Sequence, residues 1–144
     1  MSIVIRRMNG DDKKALFDLL SDPLVMQFLE EPYSEKKTEQ FLLSAGLSSD
    51  PLIYAVEKES EFVGYVIYHD FDENSLEIGW VLAPKYWGKG IASFLTEQMI
   101  AKSKTSGKQL VIECVPDNDV TIHIAEKYGF RNEGLHDGLL RFRL

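Results

Sequence analysis

Apolar positions change their spacing twice along the chain, and each change marks a set of elements. Residues 2–8 (SIVIRRM) carry the β-branched pattern of a strand. Asn9-Gly10-Asp11 reads as a turn with a helix cap. Ala15, Leu16, Leu19 and Leu20 then recur with helical period. Ser21-Asp22-Pro23 breaks that helix and caps a second, in which Leu24, Val25, Phe28 and Leu29 share one side. Pro32 and Ser34 start a third helix with Thr38, Phe41, Leu42 and Ala45 on one face and Gly46 at its end.

From residue 52 the period becomes that of strands. Segments 52–57 and 62–68 flank a short polar turn and predict a hairpin. After a second polar turn at 70–74, residues 75–82 add a third strand. Helical spacing returns at Ile91, Phe94, Leu95 and Met99, within a helix over 91–104. Segment 110–115 is an apolar strand interrupted only by Glu113. Val120, Ile124 and Tyr128 give the inner face of a short helix that starts after Pro116-Asp117-Asn118 and ends at Gly129. Segments 130–133 and 139–144 close the chain as strands around a loop at 134–138. The order β-α-α-α-β-β-β-α-β-α-β-β predicts a mixed α/β fold. Its central sheet is mostly antiparallel, is flanked by helices, and gains parallel pairing from the late strand–helix units. No repeat or linker divides residues 1–144, which predicts a single domain.

Composition narrows the function classes. A 44% apolar and 27% charged chain is that of a soluble globular protein. No apolar run reaches membrane-spanning length, the N-terminus lacks a secretory apolar segment, and Cys114 is the only cysteine, so the expectation is a cytoplasmic protein without a membrane partner. A net charge of −7 argues against a general nucleic-acid binder. It suits a cationic substrate, and it is equally what solubility alone selects. His69, His123 and His136 have neither metal-ligand spacing nor a Ser or Cys partner motif, so no metal is expected. Cys114, in an apolar strand, reads as an inert buried thiol.

The chemistry concentrates in Tyr86-Trp87-Gly88-Lys89-Gly90-Ile91-Ala92, where a strand turns into a helix. Such a turn aims backbone N–H groups and the positive end of a helix dipole into open space, which is a place for phosphates. It is not a P-loop, because Gly88-Lys89 is followed by Gly90 rather than Ser or Thr. Nor is it a dinucleotide fingerprint, whose third glycine position is Ser93. The run Trp87-Gly88-Lys89-Gly90-Ile91-Ala92 instead resembles the central motif of the GNAT-type N-acetyltransferases, with Trp87 in place of the usual Gln or Arg. Leu76 to Leu82 looks like that family's fourth strand. Asn118 opening a helix that ends in Lys127-Tyr128-Gly129-Phe130 resembles its later motif. Ser21-Asp22-Pro23-Leu24-Val25-Met26 and Pro32-Tyr33-Ser34 look like the branch that acetylates alanine N-termini of ribosomal proteins.

The resemblance implies acetyl transfer from acetyl-CoA, as cosubstrate, to a primary amine. It places backbone groups of Gly88, Lys89, Gly90, Ile91 and Ala92, with Trp87 beside them, on the diphosphate. It places Val81 and Leu82 along the pantetheine arm, Asn118 near that arm or the diphosphate, and the Val81 N–H at the thioester oxygen. Glu77 stands where several members keep a general base; a carboxylate paired to a neighbouring strand is the competing reading. Glu30, Tyr33 and His136 fall in loops that border the family's acceptor pocket. The tyrosine that many members use to protonate the thiolate has Ala125 at its position. That departure keeps a second reading open, a CoA-binding sensor or interaction module without catalysis. Homodimers are the common expectation for such a chain.

Overall fold

The computed structural model describes residues 2–144. Seven strands form one sheet in the order β1-β2-β3-β4-β5-β7-β6. They are β1 (Ile3–Arg6), β2 (Ile53–Lys58), β3 (Glu61–Asp72), β4 (Ser75–Leu82), β5 (Gln109–Cys114), β6 (Arg131–His136) and β7 (Leu139–Arg143). Neighbours are antiparallel except β4 and β5. Helices α1 (Lys13–Leu20), α2 (Pro23–Met26) and α3 (Glu35–Phe41) cover one face; α4 (Ile91–Ser103) and α5 (Asp119–Lys127) cover the other. The mixed α/β, mostly antiparallel architecture expected from the element order is the one observed. No helix among the described residues is long and apolar enough to cross a membrane.

Each face has its own core. Leu16, Leu19, Leu20, Val25, Met26 and Leu42 pack on Ile53, Ala55, Tyr65 and Val81. Ile91, Leu95 and Met99 pack on Val66, Leu76, Ile78 and Leu82 on the opposite side. Thus successive residues of β4 serve different cores, as a strand buried on both faces requires. Arg6 ties the first strand to the first helix. Its guanidinium makes two bonds to Asp12 (2.9 and 2.8 Å) and one to Glu57 (2.8 Å), while Asp12 also accepts from the Asn9 amide (2.8 Å). Gly64 lies opposite Leu82 with φ +152°, and a Cβ there would collide with the main-chain oxygen of Val81, so only glycine allows β3 and β4 this approach.

Three local differences from the sequence reading have physical causes. The second helix stops at Met26 instead of running to Leu29. The Gln27 side chain takes the Leu24 carbonyl (2.9 Å), and Leu29 N–H closes a turn on Met26 (2.9 Å), so Leu24 and Leu29 are left exposed rather than packed. The third helix ends in a wide π turn, in which Leu47 N–H reaches Leu42 (2.9 Å). The last hairpin is tighter than a five-residue loop. Asp137 and Gly138, both at positive φ (51° and 83°), make a two-residue turn, and the ladder shifts between Asn132 and Leu135, with Gly134 also at positive φ.

Candidate active site

The sheet is split at its centre. β4 and β5 pair only at Ser75–Gln109, Leu76–Leu110 and Glu77–Val111. Beyond Glu77, β4 stays with β3 as far as Leu82, and β5 stays with β7 as far as Cys114. The two half-sheets therefore diverge, and residues 78–82 have no strand on their β5 side. A cavity of about 650 Å³ lies against residues 80–82 of β4, beyond the last β4–β5 pair. It runs from α2 and the turn after it, past Trp80, Val81 and Leu82, to the first turns of α4 and α5.

Hydrogen-bond parity decides which amides face the split. Tyr68 N–H donates to Leu52 (3.0 Å), so even-numbered residues of this part of β3 face β2 and odd-numbered ones face β4. Gln109 N–H donates to Asn74 (2.9 Å), which turns the even-numbered residues of β4 toward β5. The β3–β4 register is unbroken from Leu76 to Leu82. It follows that the Val81 amide is directed at Tyr65, and that the amides of Ile78, Trp80 and Leu82 face the split. The resemblance expects the Val81 amide at that edge; the ladder turns its two neighbours there instead. The Leu82 carbonyl is taken by the indole Nε1 of Trp87 (2.8 Å).

At the far end of the cavity α4 begins on a bare glycine. Gly90 holds the cap position at φ +80° and offers no side-chain acceptor. Phe94 N–H is the first to bond back, to Gly90 (3.0 Å), which leaves the amides of Ile91, Ala92 and Ser93 without helical partners. Gly88 (φ +71°) and Gly90 have nothing within 4 Å of where a Cβ would stand, so the space before these amides is open. Ile91, fully buried, anchors the turn in the core. Lys127 of α5 lines the same space, with Nζ 3.5 Å from the Ser93 hydroxyl. Asn118 caps α5, accepting from Thr121 N–H at 3.2 Å, and also lines the cavity.

The cavity thus gathers Val81, Leu82, Trp87, Gly88, Gly90, Ile91, Ala92 and Asn118 of the residues singled out by sequence. Lys89 is exposed outside its lining. Lys127, Ser93 and His123 line it without having been singled out as site residues. Lys127 stands in the Lys-x-Gly-Phe segment, which was the available signal.

Glu77 sits at the vertex of the split, just outside the cavity lining, and is a quarter exposed. Its cross-strand partner is His69, whose Nε2 lies 3.5 Å from the carboxylate. His69 Nδ1 contacts the Asp70 carbonyl (2.9 Å); a carbonyl only accepts, so Nδ1 carries a proton and Nε2 of the neutral ring is free to share one with Glu77. Burial raises the Glu77 carboxyl above the ordinary glutamate value; His69 pulls it down and Glu113 pushes it further up. Glu113 is itself held by Arg141 (2.9 Å).

The three acceptor-loop residues do not converge on the cavity. Glu30 binds Lys37 (3.0 Å) and accepts from the Tyr33 hydroxyl (2.9 Å), and His136 contacts the Glu133 carbonyl (3.2 Å). None of the three lines it. Ala125 is fully buried, and the Tyr128 hydroxyl is engaged by Glu97 (3.0 Å) and the Ser93 carbonyl (3.3 Å). Cys114 is buried, which pushes its thiol up to about 11.

Comparisons with known proteins agree with this architecture. The model of the acetyltransferase (GNAT) domain family matches residues 2–131. An uncharacterized N-acetyltransferase of Bacillus subtilis, YnaD, is 26% identical over 137 residues, covering 92% of this chain and 81% of that protein. Among solved structures, a GNAT-family acetyltransferase from Bacillus anthracis superposes with TM-score 0.86 at 23% identity, covering 99% of this chain and 93% of that one. The spermidine N-acetyltransferase of Vibrio cholerae, solved with CoA and spermine, superposes at 0.81 with 21% identity, covering 99% and 94%. With the family model spanning most of its length, this chain belongs to the GNAT acetyltransferase family.

Proposed function

We propose that this chain transfers the acetyl group of acetyl-CoA to a primary amine through direct attack on the thioester. The observation that carries the reading is the uncapped N-terminus of α4 opening into a cavity that runs along the part of β4 left unpaired on its β5 side. Open glycine positions and free amides suit the diphosphate of CoA. Bound acetyl-CoA supplies an acetyl group already activated as a thioester.

The chain's own groups have separable tasks. The amides of Ile91, Ala92 and Ser93, with Lys127, hold the diphosphate. The edge amides of Trp80 and Leu82 pair with the peptide-like pantetheine arm, as an added strand would, and donate to the thioester oxygen. Glu77, with its raised proton affinity, takes a proton from the incoming ammonium directly or through water. His69 opposite it lowers that affinity when protonated. The position of the family's thiolate-protonating tyrosine is the buried Ala125, and Tyr86, which lines the cavity, gives its hydroxyl to Glu61 (2.9 Å). A thiol releases its proton near pH 8.5, so water serves as its acid at neutral pH.

The buried Ala125 favours one second reading, CoA binding without catalysis. Thiol release from acetyl-CoA in the presence of primary amines separates the two. Turnover that falls in Glu77→Gln at unchanged acetyl-CoA affinity supports transfer; tight binding without turnover on any amine supports the second.

A further inference from the structure

The end of the cavity formed by α2 and the turn after it is walled by Leu24, Val25, Gln27, Phe28 and Leu29, and carries no charged side chain. Because α2 stops after one turn, Leu24 and Leu29 stand about half exposed (49% and 51%) beside the cavity instead of packing inward. Apolar surface turned to water beside a substrate cavity is unfavourable until something apolar covers it. Of the titratable groups that do line the cavity, Asp119, His123 and Lys127 belong to α5, and Tyr86, before α4, donates its hydroxyl to Glu61 (2.9 Å). Of the two carboxylates that follow the apolar wall, Glu30 is neutralised by Lys37, with Tyr33 donating to it, and Glu31 is exposed outside the cavity lining. The Lys37 ammonium keeps the Glu30 carboxyl below the ordinary glutamate value against the opposing effect of its partial burial.

From this wall, and resting on the acetyl-transfer reading above, we infer that the acceptor is a primary amine whose substituent is apolar and uncharged, and that Phe28 and Leu29 select it. A polyamine would need carboxylates along the wall for its further ammonium groups, and an acidic amine would need a cation there; the wall has neither. In the transfer, the amine nitrogen bonds to the acetyl carbon as the carbon–sulfur bond breaks. The nitrogen loses a proton and the sulfur gains one, so no oxidant or reductant enters. A free amine and a peptide N-terminus with an apolar first residue share this chemistry.

The test is CoA thiol release by the purified full chain with 2-phenylethylamine, the tripeptide amide Phe-Ala-Ala-NH2, spermidine and phosphinothricin, alongside an acetyl-CoA titration. The inference expects kcat/KM for one of the two apolar amines to exceed those for spermidine and phosphinothricin by about tenfold or more. The better of the two tells a free amine from a peptide terminus. Leu29→Glu, at an exposed position, should lower the apolar rate about tenfold with acetyl-CoA affinity unchanged. Spermidine or phosphinothricin matching or exceeding the apolar amines, or an unaltered preference in Leu29→Glu, overturns the inference while leaving acetyl transfer standing. No turnover with any of the four, despite bound acetyl-CoA, overturns the transfer reading and the inference with it.

Discussion

Trp87 donates its indole N–H to the carbonyl of Leu82 at 2.8 Å, and so fastens the loop that starts α4 to the last residue of β4. The two ends of the proposed CoA site, diphosphate loop and pantetheine edge, are held in fixed relation by this bond. Trp87→Phe keeps most of the ring and removes the donor. Stability should fall by about 1 kcal/mol or less, since the indole is partly exposed. Acetyl-CoA affinity should fall several-fold because the loop is no longer set. Calorimetric titration beside urea denaturation measures both.

Gly90 separates backbone strain from ligand exclusion. A methyl group at φ +80° meets nothing in the protein, so Gly90→Ala should cost about 1–2 kcal/mol of folding stability through its backbone alone. The same methyl would stand in open space at the start of α4, where the diphosphate is proposed to sit, so acetyl-CoA binding should weaken more than tenfold. Unchanged binding in a folded Gly90→Ala protein would remove the diphosphate from this turn.

Glu77 and His69 make a prediction about pH. Burial raises the Glu77 carboxyl, so the rate should climb with pH through a midpoint above the ordinary glutamate value as the base loses its proton. His69→Gln removes the ring that pulls the Glu77 carboxyl down and should move that midpoint to higher pH. Glu77→Gln should lower kcat by about 10²-fold with acetyl-CoA affinity unchanged. The stability linkage has the opposite slope to the rate. A carboxyl with a raised folded value favours the fold at low pH and loses that contribution as pH rises through the folded value. Glu77→Gln should therefore be neutral to stabilising at pH 8, as urea midpoints would show.

Asp12 tests the fold apart from the chemistry. Burial disfavours its charge, but bonds from Arg6 and the Asn9 amide outweigh this and hold it below 3.8. Its contribution is therefore complete above about pH 3.8 and is lost as pH falls through the lower folded value. Asp12→Ala leaves Arg6 without its main partner and should destabilise the protein by about 3 kcal/mol at neutral pH, read from urea denaturation.

The strands, α4 and the glycine turn before it were legible in the chain because each has a local signature: period two, period 3.6, and glycines where a strand becomes a helix. The site's finer geometry was not, because it depends on partners distant in sequence. Nothing local to Glu77 reveals His69, which faces it only through the β3–β4 register. The same register turns the Val81 amide away from the split and the Trp80 and Leu82 amides toward it. Lys127 reaches Ser93 across 34 positions of chain. Glu30 and Tyr33 looked available to an acceptor, yet Lys37, one helical turn into α3, already occupies Glu30. The short α2 was hidden too, since Gln27 competes for a backbone carbonyl that the apolar pattern assigns to a helix.

The most direct measurement is a calorimetric titration of the purified chain with acetyl-CoA, repeated with Gly90→Ala. Saturable binding by the wild type, in the range of about 1 μM to 1 mM that enzymes set for their substrates, with a clear loss in the variant, is the predicted result. A wild-type protein that takes up neither acetyl-CoA nor CoA at millimolar concentration would contradict the account.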